Sequence, residues 1–177
     1  MRRVLRAWRE AEKVLREHNV KRPPVNVEVL AEKYARIVKR PLDTEISGVL
    51  VPSADGTFVI LVNAQHPVVR QRFTVAHELG HLLLHGYTTP HADRSFKFRD
   101  SRATEGGAIE EIQANQFAAE LLMPRELILE AAETRSFGHV AETPEDEKEF
   151  DAWVAQLAYR FKVSKQAISI RLSSLLA

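Results

Sequence analysis

The sequence contains no cysteine. This excludes disulfides, thiol nucleophiles and thiolate metal sites, so any metal must be held by nitrogen and oxygen. With only 7 glycines and 8 prolines among 177 residues, collagen-like and low-complexity readings fall away. Long hydrophobic runs are also missing. The longest is Phe58 to Val62, far below the roughly 18 residues of a bilayer span. The amino terminus opens Met1-Arg2-Arg3 without an apolar stretch or small-residue cleavage site, so no secretory signal is expected and cytoplasmic residence is the expectation. Neither sign of charge dominates: the formal net charge is +1, which argues against a whole-chain polyanion binder. The distribution is uneven, with 12 Lys/Arg against 5 Glu in residues 1–40 and 4 against 13 acids in residues 100–150. Either surface can steer a partner or simply be solvated.

A chain of this length buries about 68 to 70% of its unfolded surface and can carry an active site. From Arg3 to Glu17, the residues Val4, Leu5, Trp8, Ala11, Val14 and Leu15 recur at helical spacing. A second helix is expected after Pro23-Pro24, with Asn26 as N-cap and Val27, Leu30, Ala31 and Tyr34 inward. Ile37 to Leu42 reads as a short extended segment. Ile46 to Val51 and Thr57 to Val62 flank Pro52-Ser53-Ala54-Asp55-Gly56, which predicts an antiparallel hairpin. A long helix follows over 68–84, beginning at a proline. Residues 86–104 read as a surface loop, 108–122 as a helix closed by Met123-Pro124, and further helices are expected after Pro124, from Pro144, and through Phe150 to Ala177.

His77-Glu78-Leu79-Gly80-His81 is an H-E-x-x-H pattern on the 68–84 helix. Advancing about 100° per residue from His77, Glu78 falls at about 100° and His81 at about 40°, so all three side chains emerge in one sector. Two imidazoles one turn apart can share an ion, and Val69, Val75, Ala76, Leu79, Leu82 and Leu83 make the remaining directions apolar, as in a buried helix. Zinc would satisfy the imidazole nitrogens there. The bland alternative is a pair of core histidines bonded to backbone.

Zinc hydrolases use three protein ligands and leave a position for water. Leu84 and Tyr87 stand where the metzincin extension needs Gly and His, which excludes that class. On the 108–122 helix, Gln113, Gln116 and Glu120 cluster on a face read as solvent-exposed, and Glu111 lies opposite it, toward the core. A core-facing carboxylate should be neutral or bound to a cation. Glu111 is therefore the first choice for third ligand, Glu110 the second, and a buried Glu111–Arg pair the alternative.

The segments Arg72-Phe73-Thr74-Val75-Ala76-His77-Glu78-Leu79-Gly80-His81-Leu82-Leu83-Leu84-His85 and Glu111-Ile112-Gln113-Ala114-Asn115-Gln116-Phe117-Ala118-Ala119-Glu120-Leu121-Leu122-Met123-Pro124 resemble the ImmA/IrrE family of zinc metallopeptidases in order and separation. The resemblance covers most of the chain from about residue 25. It implies a zincin-like, gluzincin-type core with one Zn²⁺ per chain, Glu111 as third ligand, and Glu78 as the general base acting on water beside the metal. It also implies a helix-turn-helix repressor as substrate, in an anti-repressor, stress-response or toxin–antitoxin-like setting, and the chain is more like the short ImmA form. The oxyanion donor is not assigned: His85, Tyr87, His91 and His139 are candidates, with His85 and Tyr87 also candidates for supporting the ligands.

Residues 157–172 have the apolar spacing of a helix-turn-helix, with Ser164 as N-cap of its second helix and Lys162 where a turn glycine is usual. Lys165, Gln166 and Ser169 are candidates for docking nucleic acid or substrate, although packing of this segment on the core is the favoured reading. A sequestering partner with latent protease activity is a third. The expected architecture is α+β. Residues 1–135 form a metallopeptidase core around a small, mainly antiparallel sheet, 136–177 form the helix-turn-helix-like segment, and an edge strand at the 46–62 hairpin holds extended substrate.

Overall fold

A computed structural model describes residues 2–86, 91–94, 105–133 and 144–176. The protein is α+β, with seven helices and a four-stranded sheet among the described residues.

Helix α1 (Arg2–Glu17) buries Ala7, Ala11, Val14 and Leu15. Leu5 lies on its exposed side, so the inner stripe is rotated from the expected one. The small Ala7 and Ala11 let α1 approach its neighbours closely, and Arg6 donates to the Leu84 carbonyl at 2.9 Å. Asn19 ends the helix in the left-handed region (φ 52°) while the Val20 amide bonds back to Leu15, a conformation Asn tolerates better than most residues. Helix α2 (Val27–Ala31) buries Val27, Leu30 and Ala31; Asn26 sits at its N-cap without a side-chain capping bond, and Tyr34 lies beyond its end.

Strand β1 (Arg36–Arg40) is followed by the hairpin of β2 (Ile46–Pro52) and β3 (Phe58–Asn63). At the turn, Asp55 Oδ1 accepts from the Thr57 hydroxyl (2.7 Å) and amide (3.0 Å), and Gly56 takes φ 81°. These bonds hold the Asp55 carboxyl below its ordinary pKa.

The sheet order is β1-β3-β2-β4. Pairing is antiparallel for β2–β3 and β2–β4 but parallel for β1–β3, so the sheet is mixed. Two expectations need correction. Strand β4 (His91–Arg94) lies within residues read as loop; it is four residues long with Ala92 as its one aliphatic side chain, too short to show alternation. Neither hairpin strand is an edge, because β1 covers β3 and β4 covers β2. Among the described residues, the outer strands are β1 and β4.

Helix α3 (Val68–His85) runs beneath the sheet with Gln71 to His81 buried apart from Phe73, and ends at Gly86 with φ 62°. Gln71 anchors its start, donating to the carbonyls of Ala64 (3.2 Å) and His66 (2.7 Å). Helix α4 (Glu105–Leu122) packs against both α3 and α1. Phe117, Ala118, Leu121 and Leu122 are fully buried there.

Helix α5 (Arg125–Glu133) precedes α6 (Pro144–Phe161) and α7 (Lys165–Leu176). Ser164 Oγ accepts the Ala167 amide at 3.1 Å, an N-cap bond for α7. Lys162, between α6 and α7, adopts φ 52°, the left-handed geometry a glycine would take without strain. Two buried arginines tie these helices to the rest. Arg72 donates to the carbonyls of Lys162 (3.1 Å) and Val25 (2.8 Å), and burial lowers its pKa. Arg171 donates to the Met123 carbonyl at 3.1 Å and makes a close ion pair with Glu120.

Candidate metal centre

The pattern on α3 and the carboxylate on α4 meet where the two helices cross. His77 Nε2 and His81 Nε2 are 3.0 Å apart, Glu111 Oε2 is 3.5 Å from His77 Nε2, and Glu111 Oε1 is 3.1 Å from His81 Nε2. Among the described residues, these three form a group whose ligand atoms all lie within 4.8 Å of one another. Donors bound to one ion at 2.0–2.2 Å and tetrahedral angles sit roughly 3.3 to 3.6 Å apart. The observed separations lie within a few tenths of an ångström of that range, so two imidazoles and one carboxylate fit a single divalent cation.

The donor set fits as well as the spacing. His77 Nδ1 lies 3.1 Å from Asn115 Oδ1, while His77 Nε2 faces His81 and Glu111. A cation between these atoms removes the repulsion among converging lone pairs. It also balances the negative charge of Glu111 and of Glu78, which follows His77 on α3 and is fully buried.

Burial gives the site a direction. The side chains of His77 and His81 are 3% and 0% exposed, whereas Glu111 is 25% exposed. Among the three, Glu111 is the most open to solvent. Phe73, one turn before His77, flanks its ring with centroids 6.1 Å apart and 29° between the planes.

Two glycines make the arrangement possible. A Cβ at Gly48 on β2 would overlap the Thr74 methyl and lie 3.2 Å from Glu78 Oε1, so the bare strand backbone lets Glu78 fit beneath the sheet. Gly80, within the H-E-x-x-H pattern, lies against Ala114 and Phe117 of α4. That contact brings α4 close enough for Glu111 to reach both imidazoles.

Other candidates are distributed elsewhere. Glu110 is half-buried and outside the three-residue group. The His85 ring is 5.7 Å from that of His81, beside the group but not in it. Tyr87 and His139 lie outside the described residues. The His91 backbone is in β4 opposite Leu50, and its side chain is outside the description. Lys165, Gln166 and Ser169 lie on the exposed face of α7. There Lys165 Nζ pairs with Asp151 at 2.6 and 2.8 Å and Ser169 Oγ donates to the Lys165 carbonyl.

Glu111 occupies the expected place, although one premise behind its choice fails. Gln113 and Glu120, assigned to solvent, are 6% and 4% exposed, while Ile112 is 48% exposed. Helix α4 packs against α1 and α3, and Arg171 meets Glu120, so Gln113 and Glu120 are buried rather than solvated. On α4, Glu120 pairs with an arginine, Arg171. Sequence reasoning also passed over Asn115, although it sits one turn after Glu111 and thus on the same face.

Comparisons with known proteins place the chain in a family. Over 70 residues the chain is 43% identical to the radiation response metalloprotease IrrE of Deinococcus deserti, a match covering 40% of this chain and 24% of that protein. The matched region is thus about a quarter of the relative's length. A solved Mycobacterium tuberculosis transcriptional regulator superposes with a TM-score of 0.60 at 17% identity, covering 94% of this chain and 46% of that one, which shows a shared fold. The family model for the IrrE N-terminal-like domain, Peptidase M78, matches residues 26–173, and the chain belongs to that family.

Proposed function

We propose that the protein is a zinc-dependent endopeptidase with Zn²⁺ held by His77, His81 and Glu111, and that its substrate is a helix-turn-helix transcriptional repressor in the cytoplasm. The observation that carries the enzymatic reading is the convergence of two imidazole Nε2 atoms and the Glu111 carboxylate oxygens at 3.0 to 3.5 Å, with the fully buried Glu78 next in sequence to His77. Two nitrogens and one oxygen without thiolate suit zinc in a hydrolytic site. When bound, the ion supplies Lewis acidity, polarising a carbonyl and lowering the pKa of water toward about 7.

The protein's own groups do the rest. Glu78 accepts the proton of the attacking water and passes it to the departing amine nitrogen. Its burial excludes bulk water from that transfer. Among the described residues, β4 is the outer strand next to β2, the strand whose Gly48 packs on Glu78, which supports laying an extended substrate along β4 rather than along the hairpin. The core is zincin-like in this reading, residues 1–135 carry the chemistry, and 136–177 form a helix-turn-helix-like appendage. The choice of a repressor as substrate rests on the ImmA/IrrE resemblance.

The test is incubation of zinc-loaded wild type and Glu78→Gln with candidate repressors and with a mixed peptide library, followed by mass spectrometry. A single cut in the repressor by wild type alone is expected. Equal cutting by both proteins would remove Glu78 from its role. Library cleavage without repressor cleavage would overturn the substrate, and cleavage of neither would overturn the peptidase.

A further inference from the structure

We infer that Asn115 is a positioning residue for His77, holding the ring in the one tautomer that can ligate an ion through Nε2; this rests on the metal-site reading above. The bond is His77 Nδ1 to Asn115 Oδ1 at 3.1 Å, in a site where the His77 side chain is 3% exposed. A neutral imidazole carries its proton on either nitrogen. An acceptor facing Nδ1 keeps the proton there and leaves Nε2 as the nitrogen that accepts or ligates. Nε2 is the atom that faces His81 Nε2 and Glu111 Oε2, so the bond sets both the protonation and the aim of the ligand.

Placement on α4 strengthens the argument. Glu111 and Asn115 are four residues apart on one helix, about 6 Å along its axis, so one face of α4 supplies a ligand and the support for another. Ala114, next to Asn115, is the residue Gly80 packs against. The helix contact that delivers Glu111 therefore also sets the reach of Asn115. The neutral amide has its own consequence: the site already holds the carboxylates of Glu78 and Glu111, which balance a divalent cation, and Asn115 orients the ring without adding a third.

The discriminating variants are Asn115→Leu, similar in size with no acceptor, and Asn115→Asp, similar in shape with an obligatory acceptor. Zinc affinity is read by competition with a chromogenic chelator, and the His77 tautomer by long-range ¹H–¹⁵N correlation on metal-free protein at neutral pH. Asn115→Leu is expected to bind zinc about 10- to 100-fold more weakly and to lose the Nδ1–H signature. Asn115→Asp is expected to keep the signature and match or exceed wild-type affinity.

Equal losses in the two variants, or wild-type affinity in Asn115→Leu, would overturn the inference. If Asn115→Leu does not fold, the metal-free wild type and Asn115→Asp spectra still decide: His77 protonated on Nε2 in either sinks it. A wild type that keeps the tautomer yet binds no zinc would instead sink the metal-site reading.

Discussion

Gly80 of α3 lies directly against Ala114 of α4: a Cβ at Gly80 would stand 3.2 Å from Ala114 Cα, 3.3 Å from its carbonyl oxygen and 3.0 Å from Phe117 Cδ1. Two of these neighbours are backbone atoms, which yield only if the helix moves. Gly80→Ala is therefore expected to push α4 away despite alanine's better helix propensity. The expected cost is about 1 to 3 kcal/mol of overpacking, together with weakened metal retention as Glu111 is drawn from His81. Thermal unfolding and metal content after dialysis check this. An unchanged melt with full metal content would mean the contact is not tight enough to matter.

Glu111 and Glu78 should separate binding from chemistry. Glu111→Ala removes a donor that stands 3.1 Å from His81 Nε2 and is expected to leave less than one zinc per chain after equilibrium dialysis. Glu78→Gln is expected to retain zinc and lose peptide cleavage, and Glu110→Ala to change neither. Full zinc content in Glu111→Ala would require a different third ligand.

The buried pair Arg171–Glu120 fastens α7 to the end of α4, with side chains 4% and 6% exposed. Glu120 also accepts the Arg125 amide at 2.9 Å. Replacing Arg171 alone by Met strands a buried carboxylate and is expected to cost about 3 to 5 kcal/mol in denaturant unfolding. The double variant with Glu120→Gln is expected to recover a substantial part of that loss, because the uncompensated charge is gone. A double variant as unstable as the single one would show that Arg171 acts through the Met123 carbonyl instead.

On α7, the lysine offered for nucleic-acid docking is engaged with Asp151 and the Ser169 hydroxyl bonds its own helix backbone. Duplex binding is accordingly expected to be non-specific, with Kd no tighter than about 10⁻⁶ M at physiological salt. A sub-micromolar complex, weakened by Lys165→Ala, would restore the DNA-binding reading.

Asp55 has a depressed carboxyl pKa because Thr57 bonds its ionised form. A folded-state pKa below the unfolded one contributes stability above the unfolded value and loses it as pH falls through the folded value. Asp55→Asn is thus expected to melt below wild type at neutral pH, with the gap closing as pH drops below about 3.8, the ordinary carboxyl value. A gap independent of pH would assign the effect to turn shape alone.

Reading the chain alone recovered the elements with local signatures. The H-E-x-x-H helix, the Asp55-Gly56 hairpin and the Ser164 cap each rest on residues within one turn of each other. Strand β4 was missed because four residues with a single aliphatic side chain carry no periodic signal. Helix α4 was misread in part: its wheel assumes that polar residues face water, and Glu120 is buried because Arg171, 51 positions away, meets it. The wheel and the family resemblance both point to Glu111, but spacing carries no information on its distance from His77.

By itself the sequence determined that any metal would be bound by nitrogen and oxygen, and that His77, Glu78 and His81 would share one side of a buried helix. Both follow from composition and from 3.6 residues per turn. Only the tertiary structure decided that Glu111 and Asn115 arrive together at that side, that β4 lies outside the hairpin in the described sheet, and that buried arginines fasten the last two helices to the core. Those relations depend on how closely α3 and α4 approach and on which strands lie side by side. Such contacts join residues far apart in the chain, where local periodicity carries no information.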